Sequence, residues 1–209
     1  HLSLRRQRQM CIRDSFKGIA LSALATLMFN TTPTVAQQKT PAAQDPNISK
    51  DIRAFLKVLN SGNGKPLEQM TPEEARLVLV GAQNSVTYDY SDIEETEKTI
   101  TQDGLTVKLH IVKPKGAKNG LPVFMFFHGG GWVLGDYPTH KRLVRDLVVN
   151  SGAVAVFPDY TPAPDARFPI AINQAYAATK WTAAHGKEIG VDGTRLAVAG
   201  NSVGGNMAA

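Results

Sequence analysis

Two glycine-rich runs carry residue types that acyl-transfer chemistry needs. The first is His128-Gly129-Gly130-Gly131-Trp132. Three consecutive glycines cost backbone entropy and pack nothing. They offer bare N–H groups that can turn toward a developing oxyanion at close range. The plain alternative is a flexible turn; a phosphate loop is disfavoured, since no Lys-Ser/Thr follows. The second run is Gly200-Asn201-Ser202-Val203-Gly204-Gly205, which matches G-x-S-x-G. In a nucleophile elbow the serine sits on a strained strand-to-helix turn, and flanking glycines relieve the crowding. The residue after the serine, here Val203, donates its backbone N–H to the oxyanion. Each pattern alone is weak evidence; their pairing in this order is the informative observation.

The flanking segments supply the context both runs require. Residues 121–127 (LPVFMFF), 153–157 (AVAVF) and 196–199 (LAVA) are apolar at nearly every position. Strands covered on both faces, inside a parallel sheet, read this way. Helical stretches are predicted between them, at 142–150 closed by Gly152 and at 169–185 closed by Gly186. Alternating strand and helix from residue 121 onward predicts an α/β fold with a mostly parallel sheet. Upstream, 105–111 alternates apolar and polar residues, as a half-exposed strand does. Asp103-Gly104 before it is a hairpin-turn signal, and a further strand is expected within 86–99. Two helices precede the strands. One spans 48–62, with Ile52, Phe55, Leu56 and Leu59 on one face. The other spans 71–81, where Thr71, Pro72 and Glu74 form a capping-box start.

Taken together, HGGGW at 128–132 and GNSVGG at 200–205 resemble the hormone-sensitive-lipase-like esterases of the α/β-hydrolase fold. A third block, DYTPAPDARFP at 159–169, is similar to that family's D-Y-x-L-A-P-E-x-x-F-P stretch, with Pro162 and Asp165 replacing Leu and Glu. The resemblance covers roughly residues 48–209. It implies Ser202 as nucleophile, small carboxylic esters as substrates and no cofactor or metal. Among the oxyanion donors it ranks Gly130 and Gly131 ahead of Gly129, with Val203 beside them. It gives His128 a loop-supporting role and the two N-terminal helices a place in a cap over the site. Trp132 either lines the substrate pocket or packs under the loop. The family's Asp-Ser-Ala is Asn201-Ser202-Val203 here. The branched Val203 bears on substrate range more than on reaction type.

A serine needs a base. Elbow-type triads run Ser, then Asp/Glu, then His. All five histidines precede Ser202, and no carboxylate follows it. The chain is therefore expected to be the front part of a longer enzyme, inactive alone, with acid and base still to come. Among the upstream histidines, His110 falls on the polar side of its strand and is expected to be solvated. His140 and His185 sit near helix ends, where capping or solvation is usual. Asp136 and Tyr137 are expected in the turn before the helix. Two other readings of the scaffold stay open: a peptidase or amidase, and a small-molecule receptor that kept the pocket but lost the base.

Composition bounds the rest. Of 209 residues, 43% are hydrophobic and 20% charged, which excludes a disordered or disulfide-scaffold chain. The net charge of +5 suggests an acidic partner, but its distribution argues otherwise. Four of the five excess charges lie before residue 18, and from residue 37 onward 18 Lys and Arg face 17 Asp and Glu. No nucleic-acid partner is expected. Residues 10–15 (MCIRDS) read as a translation of ATG TGT ATA AGA GAC AG, the transposon end used in sequencing adapters. Residues 1–15 are therefore expected to be foreign to the protein. Residues 16–36 read as a secretory signal: Lys17, an apolar run at 18–29, and Thr34-Val35-Ala36 for cleavage after Ala36. The run is too short for a stable membrane anchor, so a secreted or periplasmic location is expected. Residues 37–47 read as a flexible leader, and 48–209 as the N-terminal part of an α/β-hydrolase domain.

Overall fold

The computed structural model describes residues 44–59, 61 and 65–209. The adapter-like segment 1–15, the signal 16–36 and most of the leader 37–47 lie outside the described residues. The chain divides into two units, His1–Gly62 and Asn63–Ala209. In the first, helix α1 runs Lys50–Leu59, with Asp51 in its first turn and Lys57 in its last. Both charges complement the helix dipole.

The second unit starts with a short 3-10 turn and then helix α2, Pro72–Asn84. Thr71 accepts from the Glu74 N–H at 3.2 Å, and the Glu74 carboxylate accepts from the Thr71 N–H at 2.9 Å. The capping box expected from sequence is formed. Five strands follow: β1 Ile93–Gln102, β2 Leu105–Pro114, β3 Leu121–Phe127, β4 Val154–Asp159 and β5 Val191–Gly200. Helix α3, Tyr137–Ser151, connects β3 to β4. Helix α4, Ile170–His185, connects β4 to β5, and the short helix α5, Val203–Ala208, follows β5.

The sheet order is β1-β2-β4-β3-β5. Strand β3 pairs in parallel with both β4 and β5, as strands joined by helical crossovers should. Strands β3 and β4 are buried, whereas β5 lies at the edge of the described sheet and its 196–199 run, expected to be covered on both faces, is half-exposed. The β1–β2 hairpin joins β4 antiparallel, so the sheet is mixed, with β2 alone running against the other strands. Its turn is made by Asp103 and Gly104, both at positive φ, the backbone of a two-residue hairpin loop.

Alternate strand residues feed two cores. Met125, Phe127, Leu109, Val156 and Val191 face α4 with Ala178 and Trp181. Phe124, Phe126, Ala155, Phe157 and Val112 face α3 with Tyr137, Val144 and Val148. Burying a side chain such as Phe157 completely contributes about 1.5–3 kcal/mol.

Several expectations are corrected by this layering. The strand predicted as half-exposed over 105–111 runs on to Pro114, and its residues 109–112 are all buried. It lies second in the sheet, with α3 covering the face that alternation left polar. His110 is accordingly buried, not solvated. Its ring stacks on Tyr137 at 4.2 Å, with Glu97 and Asp159 at its two nitrogens. Helix α3 begins five residues earlier than predicted. Asp136 is its N-cap, accepting from the Thr139 N–H at 2.9 Å, and Tyr137 opens the helix. Strand β5 starts at Val191 because its first residues pair with Leu121 and Pro122 across a bulge.

Candidate functional site

Both glycine-rich runs emerge at the C-terminal ends of neighbouring parallel strands, β3 and β5. That end of an open α/β sheet is where functional groups gather. At the β5 end, Ser202 has φ 54° and ψ −124°. A non-glycine residue there is strained by about 1–3 kcal/mol. The turn is closed by its own backbone: Gly204 N–H donates to Asn201 O at 2.9 Å and Gly205 N–H to Ser202 O at 3.0 Å. It also passes under the end of β3. A side chain at Gly204 would overlap the Phe127 carbonyl, and one at Gly200 would overlap Gly204. These two glycines are required by close approach.

The loop after β3 folds back on itself. Val133 and Leu134 N–H groups both donate to Gly130 O, at 3.1 and 2.8 Å. Gly130, Gly131 and Trp132 all have positive φ, at 116°, 64° and 59°. The loop lies against the elbow: a side chain at Gly129 would come within 2.7 Å of Asn201 Nδ2 and 3.1 Å of Ser202 Cβ. The two motifs, 70 residues apart in sequence, thus meet. Among the described residues, the N–H groups of Gly130, Gly131 and Val203 have no acceptor, and neither does the Ser202 hydroxyl a partner. Gly129, grouped with the oxyanion donors on sequence, differs. Its N–H donates to Asn201 Oδ1 at 3.0 Å, because the elbow packs directly on it, so that hydrogen is turned away from Ser202.

His128 lies beneath this loop, 2% exposed and sandwiched. Its ring stacks on Tyr160 at 4.2 Å and on Phe157 at 5.4 Å. Nδ1–H donates to Gly129 O at 2.8 Å, and the Tyr160 hydroxyl donates to His128 O at 2.9 Å. Burial pushes its pKa down to about 4, against the opposing pull of the Gly129 bond. The ring is neutral at pH 7. Its hydrogen bonds run to Gly129 and Tyr160, and none to Ser202.

Sequence reasoning missed the residue that does most to hold the loop. Arg76 of α2 donates from Nε to Val133 O at 2.8 Å and from its two terminal nitrogens to Ala163 O and Asp165 Oδ2, each at 3.0 Å. One fork therefore joins α2, the β3 loop and the 159–169 block. Ala163 N–H also donates to Trp132 O at 2.7 Å, fixing Trp132 in its left-handed conformation. The available signal was the lone arginine of α2, with Glu73 at i−3 and apolar residues at i+3 and i+4; nothing local names its acceptors. Asp159 is likewise structural. Burial opposes its charge, but His110 at 2.8 Å and Lys108 at 3.4 Å outweigh that and hold its pKa below the usual aspartate value.

Trp132 lines an apolar cleft of about 400 Å³ with Gly131, Ala163, Phe168, Ile172 and Asn206. Asn206 lies one turn after Ser202, so the cleft opens beside the serine. Among the described residues no cluster of His, Cys, Asp and Glu fits a metal ion. No described helix is long and apolar enough to cross a membrane.

Known proteins share this architecture. A family model described as alpha/beta hydrolase fold matches residues 124–209. The structure of a thermostable esterase from Pseudomonas putida is 65% identical, with a TM-score of 0.77 over 78% of this chain and 51% of that one. Carboxylesterase NlhH of Mycobacterium tuberculosis is 40% identical over 114 residues, or 54% of this chain and 36% of the relative. An ethyl acetate hydrolase of Pseudomonas putida is 30% identical over 174 residues, or 78% of this chain and 54% of the relative. The chain spans about half the length of such relatives, or less. The chain has the α/β-hydrolase fold and, over the residues matched, is similar to esterases of that fold.

Proposed function

We propose that the protein hydrolyses small carboxylic esters through an acyl-enzyme on Ser202. The observation that carries this reading is the strained serine pressed against a loop with unengaged N–H groups. Ser202 Oγ attacks the ester carbonyl carbon. Gly130, Gly131 and Val203 N–H groups receive the oxyanion, and the alcohol leaves with a proton. Water then attacks the acyl-serine, releases the acid and restores the hydroxyl. The apolar cleft at Trp132 takes an apolar part of the ester. The exposed Arg167 is the one charged residue of its lining. The base and its carboxylate partner are assigned to sequence beyond these 209 residues, which the greater length of the relatives supports. The signal at 16–36 sends the product to the periplasm or exterior; its mature N-terminus is then Gln37.

The test uses protein made from the full reading frame. A fluorophosphonate probe labels it covalently, and Ser202→Ala abolishes labelling while leaving the circular dichroism spectrum unchanged. The same substitution lowers kcat/KM for p-nitrophenyl esters by about 10⁴ or more. Undiminished labelling in Ser202→Ala, or none in the folded wild type, overturns the assignment.

A further inference from the structure

We propose that Asn201 is a positioning residue for the oxyanion loop, and that its hold on Gly129 requires a neutral His140. The argument is one of donors and acceptors. Asn201 Oδ1 accepts from the Gly129 N–H at 3.0 Å, which fixes the orientation of the side-chain amide. Nδ2, necessarily a donor, then faces His140 Nε2 at 3.4 Å. That nitrogen must present its lone pair, so the ring proton is on Nδ1. Nδ1 indeed faces an acceptor, Asp136 O, at 3.1 Å, with Thr139 Oγ1 also at 3.1 Å. Every polar atom from the α3 cap to the β3 loop is matched in only one protonation state.

Protonating His140 breaks the match. Nε2–H would then confront Nδ2–H₂, two donors face to face. Rotating the amide to offer Oδ1 to His140 turns Nδ2 against the Gly129 N–H instead, again two donors. One bond is lost either way, and the first glycine of the loop loses its fixed partner or that partner loses its anchor. The groups around the ring do not relieve this. Asp136 faces it through its carbonyl, while its carboxylate caps Thr139 N–H. The His128 ring is 5.3 Å away, and Phe126 and Phe157 close the remaining sides. Burial holds the His140 pKa below the ordinary histidine value, with Asp136 opposing it. A carboxylate at position 201 would behave oppositely. It accepts from Gly129 N–H and from a protonated His140 together.

The role in catalysis rests on the hydrolytic reading above, but the linkage itself does not, and the test needs no substrate. Full-length protein is labelled with [1-¹³C]His and [¹⁵N]Gly. Within these residues only His128-Gly129 and His185-Gly186 then give filtered amide signals, and Gly186 serves as the internal control. From pH 8 downward, the Gly129 signal is expected to shift with a midpoint below the ordinary histidine range while Gly186 stays still. In Asn201→Asp the midpoint is expected to rise by at least one pH unit. In His140→Gln the shift is expected to disappear, apart from movement near pH 4, where His128, bonded to Gly129 O, takes up its own proton. A Gly129 signal unmoved by pH in the wild type, or the same midpoint in Asn201→Asp, overturns the proposal. Asn201→Asp is close to isosteric, so the test stands even if His140→Gln does not fold.

Discussion

The elbow and the β3 loop end adjacent strands, both are strained, and they touch, yet they are held in opposite ways. The elbow is closed by its own backbone and by missing side chains. Its bonds span three to four residues, and Gly200 and Gly204 are there to let α5 pass under Phe127. The loop is held from outside, by Arg76 at 57 residues' distance, Asn201 at 72 and Tyr160 at 32. A self-closed turn should fail as a unit when one atom is added. An externally tethered loop should loosen by degrees as tethers are removed.

The elbow side of the contrast gives the largest expected effect. Gly204→Ala puts a methyl onto the Phe127 carbonyl, where neither backbone can yield. It should cost about 3 kcal/mol or more, read as a lowered urea midpoint and little soluble protein. A midpoint within 1 kcal/mol of wild type would show that α5 and β3 can slide apart, and the elbow would no longer be the rigid member of the pair.

On the loop side, His128 offers a graded lever in pH. Unfolded, this ring takes up a proton near the ordinary histidine value; folded, only near 4. Between those limits the unfolded state binds more protons. Its contribution is therefore complete above about pH 7 and lost as pH falls toward 4, a change of about 3 kcal/mol. Urea midpoints at pH 7.5 and 4.5, in wild type and His128→Gln, isolate it. The pH-dependent loss should be smaller in the variant; an equal loss would place the linkage elsewhere.

That division also explains what could be read from sequence. The elbow was legible because its constraints are local: G-x-S-x-G after an apolar strand states nearly all of its geometry. Strands β3 and β4 were legible too, since burial on both faces leaves continuous apolar runs. The equally apolar 196–199 of β5 misled on this point, since β5 lies at the edge of the described sheet with Val198 43% exposed. His110 was misread because alternation reports one face of a strand; the covering α3 ring of Tyr137 comes from 27 residues away. Arg76 was invisible for the same reason. Two of its three acceptors are backbone carbonyls, which carry no residue signature, and the third, Asp165, lies 89 residues away. Gly129 was grouped with its neighbours because a glycine triplet does not say which N–H points where; Asn201 decides that.

Removing a tether tests the loop directly. Arg76→Ala deletes two bonds to carbonyls and one to the half-exposed Asp165 carboxylate. Loss of loop alignment should lower kcat/KM for p-nitrophenyl esters about 10–100-fold, mostly in kcat, with fluorophosphonate labelling slowed but still complete. Arg76→Lys should recover little, since an ammonium cannot span three acceptors as the guanidinium fork does. If Asp165→Asn alone matches Arg76→Ala, the ion pair rather than the carbonyl bonds is the tether. An unchanged kcat would mean the remaining tethers suffice.

The smallest effect separates the tether from the helix that bears it. Thr71→Ala removes the Glu74 N–H acceptor and opens the capping box at the start of α2. It should cost about 1 kcal/mol of stability. Arg76 lies beyond this first turn, and its anchors are the loop and the 159–169 block rather than the cap. Fraying at Thr71 should therefore leave kcat and KM within twofold of wild type while the urea midpoint falls. If kcat falls instead, α2 is not a passive carrier: the guanidinium is aimed by the helix's first turn, and the loop's chain of support begins at Thr71.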